Sequence, residues 1–349
     1  VSDFLLFLVV VSVLIIGHEL GHFIAARLLK VRVEEFGIGF PPRLLTLFEA
    51  GGTKYTLNAI PFGGFVRPAG EDDPSVPDGL AASSKRVRAS VLLAGPTINV
   101  VLGFIAFVLA FKMFAPDPNQ VLITDIVPDS PADRAGILVG DLVRAVDASP
   151  ITTFESMQIA ISERESESVT IELQRDEQTL VVDLVPRIEY PPDQGPIGVT
   201  LGHPARATSW IEATSAGWDS IRLQVGAILS LPGRIISGVA EPEETRISGL
   251  KGIHDMLAWA TSIDRTAQRP FLTLNIIGVI SIGLAIANLL PFPALDGGRL
   301  VFIGIEFVLG RRISPQYESL AHAIGFILLL VLMVYFNLQD FINPIVLPR

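Results

Sequence analysis

Four stretches of this chain, residues 4–29, 89–111, 271–290 and 320–336, are apolar over lengths that can cross a bilayer. A spanning helix needs about 20 apolar residues, within a usual range of roughly 17 to 25. Inside lipid every backbone N–H and C=O must find a partner within the protein, so such stretches fold as helices and constrain everything between them. Composition agrees: 50% of the 349 residues are hydrophobic and 18% are charged, against about 25% charge in soluble domains. The first stretch lacks a basic leader and a small-residue cleavage site, so it reads as an anchor and not as a removable signal. Cysteine is absent, which excludes a disulfide scaffold and leaves the redox compartment open.

The charge is unevenly placed. Residues 116–200 carry sixteen acids against five arginines, a net of −11, and the rest of the chain nets +1. Lys and Arg cluster between the first two spans (Arg27, Lys30, Arg32, Arg43, Lys54, Arg67, Lys85, Arg86, Arg88) and again between the last two (Arg299, Arg311, Arg312). By the positive-inside rule both of these loops face the cytoplasm, while the acidic segment and both termini lie outside. The acidity marks a domain and gives no footprint for nucleic acid.

The first loop, residues 31–70, alternates apolar residues with Gly and Pro, a pattern for short β-hairpins at the membrane edge. Residues 71–84 are polar and read as a link without helix. The acidic segment reads as a small α/β unit, with strands at 122–127, 141–146, 168–173, 179–184 and 197–201 and helices at 131–135 and 153–162. Its stretch Ser130-Pro131-Ala132-Asp133-Arg134-Ala135-Gly136-Ile137-Leu138-Val139-Gly140-Asp141 resembles the bacterial PDZ family. Residues 205–238 follow with helical apolar spacing plus Trp210, Trp218, Arg222 and Arg234, either an interfacial helix or one packed on the preceding unit.

The chemistry sits inside the first span, at His18-Glu19-Leu20-Gly21-His22. Histidines at i and i+4 lie about one turn apart on one helix face and reach the same ion. Zn²⁺ suits imidazole, and in H-E-x-x-H the Glu stands beside the metal as general base. A pair of histidines merely satisfied by neighbouring helices is the bland alternative. Ionisable groups near a bilayer centre are costly and mark sites, which favours the metal reading. A catalytic zinc has three protein ligands and one open position. Asp296, in the Pro- and Gly-rich break after the third span, is the natural third ligand. Asn99 and Asn288 are amides within apolar spans, either interhelical glue or support for the site. His203, His254 and His322 have no partner at metal spacing and read as ordinary polar residues.

These residues, together with Asn288-Leu289-Leu290-Pro291-Phe292-Pro293-Ala294-Leu295-Asp296-Gly297-Gly298 and Gly95-Pro96-Thr97-Ile98-Asn99, resemble the site-two proteases. These are intramembrane zinc metalloproteases, and the likeness is to their RseP-like bacterial branch. The resemblance implies four transmembrane helices, a membrane-associated β-loop and an inserted extracytoplasmic PDZ-like domain. It implies zinc on His18, His22 and Asp296, Glu19 as catalytic base, and Asn288, Pro291 and Pro293 near the substrate. It further implies cleavage within or beside the transmembrane helix of a membrane protein, of the anti-sigma-factor or signal-peptide-remnant type, at the cytoplasmic side of a bacterial inner membrane.

Two departures stand out. The segment has room for one PDZ domain where RseP has two, and Ser248-Gly249-Leu250 lacks the proline of the usual Ser-Gly-Pro motif. The expected division is 1–115 for the first two spans and β-loop, 116–202 for the PDZ-like domain, 203–270 for an amphipathic helical linker and 271–349 for the last two spans. The PDZ-like domain either binds peptide or excludes bulky substrates, and its acidity disfavours a grip on free carboxylate termini. The competing reading of the whole is a non-catalytic membrane scaffold presenting a PDZ domain. It is disfavoured because a structural zinc needs four ligands and has no use for Glu19.

Overall fold

Ser2 accepts a hydrogen bond from the Leu5 N–H at 3.3 Å and so caps the first helix, α1 (Asp3–Leu28). Asp3 in its first turn and Arg27 in its last complement the helix dipole. The computed structural model describes residues 2–191, 194–240, 246–267 and 269–345. After α1 come β1 (Val33–Ala50), β2 (Thr53–Pro68) and α2 (Lys85–Phe114). The middle of the chain holds β3 (Val121–Ile126), α3 (Pro131–Arg134), β4 (Leu142–Val146), β5 (Ser149–Pro150), α4 (Phe154–Ser162), β6 (Val169–Arg175), β7 (Gln178–Leu184) and β8 (Val199–Gly202). The remainder is helical: α5 (Trp210–Ile236), α6 (Leu250–Thr266), α7 (Phe271–Leu289), α8 (Asp296–Leu309) and α9 (Pro315–Ile342).

Among the described residues α1, α2, α7 and α9 are long and apolar enough to cross a membrane, one at each stretch picked out in the sequence. The chain forms two compact units, Val1–Val108 with Thr214–Thr261 and Leu272–Arg349, and Leu109–Ala213 with Ser262–Phe271. In the second unit, antiparallel strands run in the order β7-β6-β4-β3-β8, with β5 on β4. Inward residues including Val121, Ile123, Ile171 and Leu173 form its core with Met157 and Ile161 of α4. β8 ends the sheet order, so among the described residues one of its edges is paired and the other is not.

In the first unit the spans pack through small residues, which let helices approach closely where lipid offers no hydrophobic drive. A Cβ at Gly21 would lie 2.9 Å from Ile98 Cγ1 of α2, and one at Gly278 would lie 2.8 Å from Phe107 Cδ1. β1 and β2 pair antiparallel, but the register breaks repeatedly. Phe36 faces both Val66 and Tyr55, and Thr56 faces both Gly37 and Thr46, so each long strand bends and pairs twice, with a hairpin turning at Gly51-Gly52 between Ala50 and Thr53. The residue 64–68 arm lies on the outside of this arrangement, beside α1. There the Gly63 N–H donates to Ser12 Oγ at 3.3 Å and the Val66 N–H to Glu19 Oε2 at 2.9 Å. Side chains of a spanning helix thus satisfy strand amides that the sheet leaves free. Residues 71–84 contain turns and no helix up to the start of α2.

Two elements were not anticipated individually, the amphipathic α6 and α8. Asp340 near the end of α9 holds the start of α6, accepting the N–H groups of Gly249 and Gly252 at 2.8 and 2.9 Å. The turn thereby forms without the proline of the usual motif. α8 is tied to α2 by a buried ion pair, Arg88 Nη1 to Glu306 Oε2 at 2.7 Å, with Lys85 Nζ on the Glu306 carbonyl at 2.8 Å. Removing one member of such a pair strands the other charge and costs roughly 3–5 kcal/mol. Glu306→Leu should therefore lower the unfolding midpoint in detergent more than the double variant Glu306→Leu/Arg88→Met does. Equal losses in the two would show that the pair is not coupled.

Candidate metal centre

The buried stripe of α1 runs from Phe7 through Val10, Val11, Leu14, His18, Gly21 and His22 to Ala26, so both imidazoles point into the bundle. Their rings meet edge to face, with the two Nε2 atoms 3.0 Å apart. α2 leaves room for them at Gly95, where a Cβ would lie 2.6 Å from His22 Cε1 and 2.8 Å from His18 Cε1. The glycine of the Gly95-Pro96-Thr97-Ile98-Asn99 stretch is therefore a clearance for the two rings.

The third group arrives from the far end of α7. That helix stops at Leu289, and residues 290–295 turn tightly, with Phe292 N–H on the Leu290 carbonyl at 2.7 Å and Leu295 N–H on the Phe292 carbonyl at 3.2 Å. Pro291 and Pro293 have no N–H to continue the helix. Gly297 and Gly298 let the start of α8 lie on this turn, since a side chain at either would strike the carbonyls of Leu290 and Phe292. Asp296, the first residue of α8, then sets Oδ2 3.2 Å from His18 Nε2 and 3.3 Å from His22 Nε2.

Hydrogen bonding decides what these atoms offer. His22 Nδ1 is 2.8 Å from the Val91 carbonyl. A carbonyl only accepts, so Nδ1 carries the proton and Nε2 presents a lone pair. Among the described residues nothing but the two imidazole nitrogens comes within bonding reach of Asp296 Oδ2. Lone pairs that converge in a buried place repel one another unless a cation lies among them. Zinc bonds of about 2.0–2.1 Å at tetrahedral angles put ligands about 3.3–3.4 Å apart, close to the 3.0, 3.2 and 3.3 Å found. The residues fit zinc, and among the described residues they form the single group of three or more His, Cys, Asp or Glu able to hold an ion.

Asn99 is fully buried on α2 with its amide 3.5 Å from His18 Nδ1 and its Oδ1 unpartnered. With the amide turned so that Oδ1 faces the ring, Oδ1 is placed to accept the His18 Nδ1 proton. The Asn99 carbonyl is also held by Ser281 Oγ of α7 at 2.7 Å.

Glu19 shares the site's cavity of about 250 Å³, which is lined by the three candidate ligands, by Phe65, Val66 and Pro68 of β2, and by Asn288, Glu71 and Arg299 among others. Asn288 turns its amide nitrogen to the Leu284 carbonyl at 3.0 Å. Pro291 and Pro293 do not line the cavity, and Pro293 packs against Gly325 of α9. Sequence reading passed over Arg299, one turn after Asp296, which pairs with Glu71 at 3.0 Å and Asp72 at 3.4 Å. Burial raises the Glu71 carboxyl above the ordinary range, against the pull of the Arg299 guanidinium. The spacing from Asp296 to Arg299 was visible in the sequence; the partner on the loop was not. Of the remaining histidines, His254 contacts its neighbour Asp255, His203 stacks on Phe154, and His322 accepts a backbone N–H.

The profile of Peptidase family M50 matches residues 6–332 of the chain. A protein of Brucella suis biovar 1 is 31% identical, with 96% of this chain and 93% of that protein covered; one of Clostridium perfringens is 32% identical, with 96% and 97% covered. Both bear the name "Putative zinc metalloprotease". Among solved structures, the PDZ domain of an SdrC-like protein from Listeria monocytogenes is 19% identical, with 24% of this chain and 87% of that one covered at a TM-score of 0.22. With a profile match along nearly the whole length and full-length relatives above 30% identity, the chain belongs to peptidase family M50, the site-two protease family of zinc metalloproteases.

Proposed function

We propose that this protein hydrolyses peptide bonds within or next to transmembrane segments of membrane proteins, with zinc held by His18 Nε2, His22 Nε2 and Asp296 Oδ2 and with Glu19 as general base. The observation that carries the reading is the triangle of three lone-pair atoms, 3.0 to 3.3 Å on a side, beside a carboxylate at the wall of one cavity. Zinc bound there supplies an acidified water and a Lewis-acid contact for the scissile carbonyl. Glu19 takes the proton of the attacking water and returns it to the leaving amine, microscopic roles that one carboxylate fills in turn. Its Oε2 is fixed by the Val66 N–H, which leaves Oε1 for the water. Asn99 and the Val91 carbonyl hold the imidazoles in the tautomer that presents Nε2.

A helical substrate hides its amides in hydrogen bonds and must unwind to be cut. The 64–68 arm supports pairing with the unwound strand, because it lies at the edge of the β1–β2 arrangement and Phe65, Val66 and Pro68 reach the cavity. Asn288 on the cavity wall is placed to hold a substrate carbonyl, and Pro291 and Pro293 act by ending α7. Residues 116–202 form a PDZ-like domain that serves as a size filter and not as a carboxylate clamp. The domain's acidity, which repels a free carboxylate terminus, supports that role. The Lys and Arg of residues 27–88 and 299–312 support a cytoplasmic-side active site in a bacterial inner membrane, with the PDZ-like domain and both termini outside.

Glu19→Gln should keep zinc and lose cleavage of a transmembrane substrate by at least about 100-fold, the usual contribution of a general base. Retained proteolysis in that variant would sink the mechanism. Asp296→Asn should lower zinc content on dialysis while the fold persists by circular dichroism. Removing zinc with a chelator in detergent should abolish cleavage, and readdition of zinc should restore it; activity unaffected by metal removal contradicts the proposal. A substrate with a large folded extracytoplasmic part should resist cleavage until that part is trimmed, and micromolar binding of a free C-terminal peptide would instead favour the clamp.

A further inference from the structure

Asp296 follows a turn whose own hydrogen bonds use the Phe292 and Leu295 N–H groups and leave that of Ala294 to a partner outside it. Ala294, two residues earlier, has φ +82°, a left-handed conformation that a residue with a Cβ rarely adopts. The N-cap of α8, Leu295, supplies no side-chain cap bond. What reaches the turn from outside is α9. His322, 9% exposed, accepts the Ala294 N–H on Nδ1 at 2.9 Å. Its ring lies against Phe302 of α8, 5.5 Å between centroids, and one turn further along α9 Gly325 lets the helix backbone touch Pro293. Without His322 the Ala294 N–H would be a half-buried donor with no partner, at a residue already strained, and the turn would be free to relax.

We infer that His322 is a positioning residue that fixes the Ala294 turn and thereby the direction of the Asp296 carboxylate toward His18 and His22. The inference rests on the zinc reading proposed above. It assigns His322 a role that its spacing conceals, because it has no metal partner and acts on a backbone amide. The Nδ1 acceptor is three bonds from Cα, the same reach as the Oδ1 of asparagine. Leucine has the shape of asparagine without the acceptor, so the two substitutions separate hydrogen bonding from packing.

Zinc affinity is measured on purified full-length protein in detergent by competition with graded chelators, beside the unfolding midpoint of each metal-free form. His322→Leu should weaken zinc by about ten-fold or more, the usual effect of losing a group that orients a metal ligand. His322→Asn should stay near wild type. Adding Ala294→Gly to His322→Leu should recover part of the loss, since glycine holds a positive φ without support. Wild-type affinity in His322→Leu, or equal losses in the Leu and Asn variants, would overturn the inference. Asp296→Ala in the same assay separates the two levels. If it binds zinc as wild type does, the ligand assignment fails and the inference with it; if it loses zinc while His322→Leu does not, only the inference fails.

Discussion

Three lone pairs brought together in a low-dielectric interior repel one another, and the rest of this protein is arranged so that they nonetheless meet. The donors are His18 Nε2, His22 Nε2 and Asp296 Oδ2, 3.0 to 3.3 Å apart. Helix periodicity alone brings the first two together, four residues apart on α1. The third requires a break in a transmembrane segment, and that break explains the Pro, Ala and Gly residues between Leu290 and Gly298. Glycine recurs where backbone or ring must come close: at Gly95 for the imidazoles, at Gly297 and Gly298 for the turn, at Gly325 for α9.

The same low dielectric governs the surrounding polar groups. In water a strand edge or an isolated carboxylate would be solvated; once buried, each must be answered from within the protein. Glu19 takes the Val66 amide, Ser12 takes the Gly63 amide, Glu35 of β1 takes Arg43 and Thr56, and Glu306 takes Arg88. The contact between Glu19 and Val66 joins the two proposed halves of the reaction. In the proposed reaction, a strand added to the 64–68 arm would approach the segment that holds Glu19, so that substrate docking and base placement would share one backbone.

Much of this was legible in the sequence because the strongest determinants are local. Span positions follow from runs of apolar residues, and α1, α2, α7 and α9 occupy the four stretches, with α2 and α9 extending beyond theirs at both ends. The His18, His22 and Asp296 grouping was legible because polar residues are so costly in these surroundings that few others compete. What escaped depends on contacts between distant segments. Neither the Val91 carbonyl nor the Val66 amide has a side-chain signature, and Glu71 meets Arg299 only when the loop folds over α8. His322 looked unremarkable because its partner is a backbone N–H, α8 was hidden as a short amphipathic helix beside longer apolar ones, and α6 was visible only as part of an amphipathic linker.

The central claim is the identity of the metal's ligands, and X-ray absorption at the zinc edge of the purified protein tests it most directly. The spectrum should show a first shell of nitrogen and oxygen only, at about 2.0–2.1 Å, with the outer-shell scattering of two imidazoles, and Asp296→Ala should lower the edge height per mole of protein because zinc is held less tightly. A first shell with one imidazole or none, or a spectrum unchanged by Asp296→Ala, would contradict it.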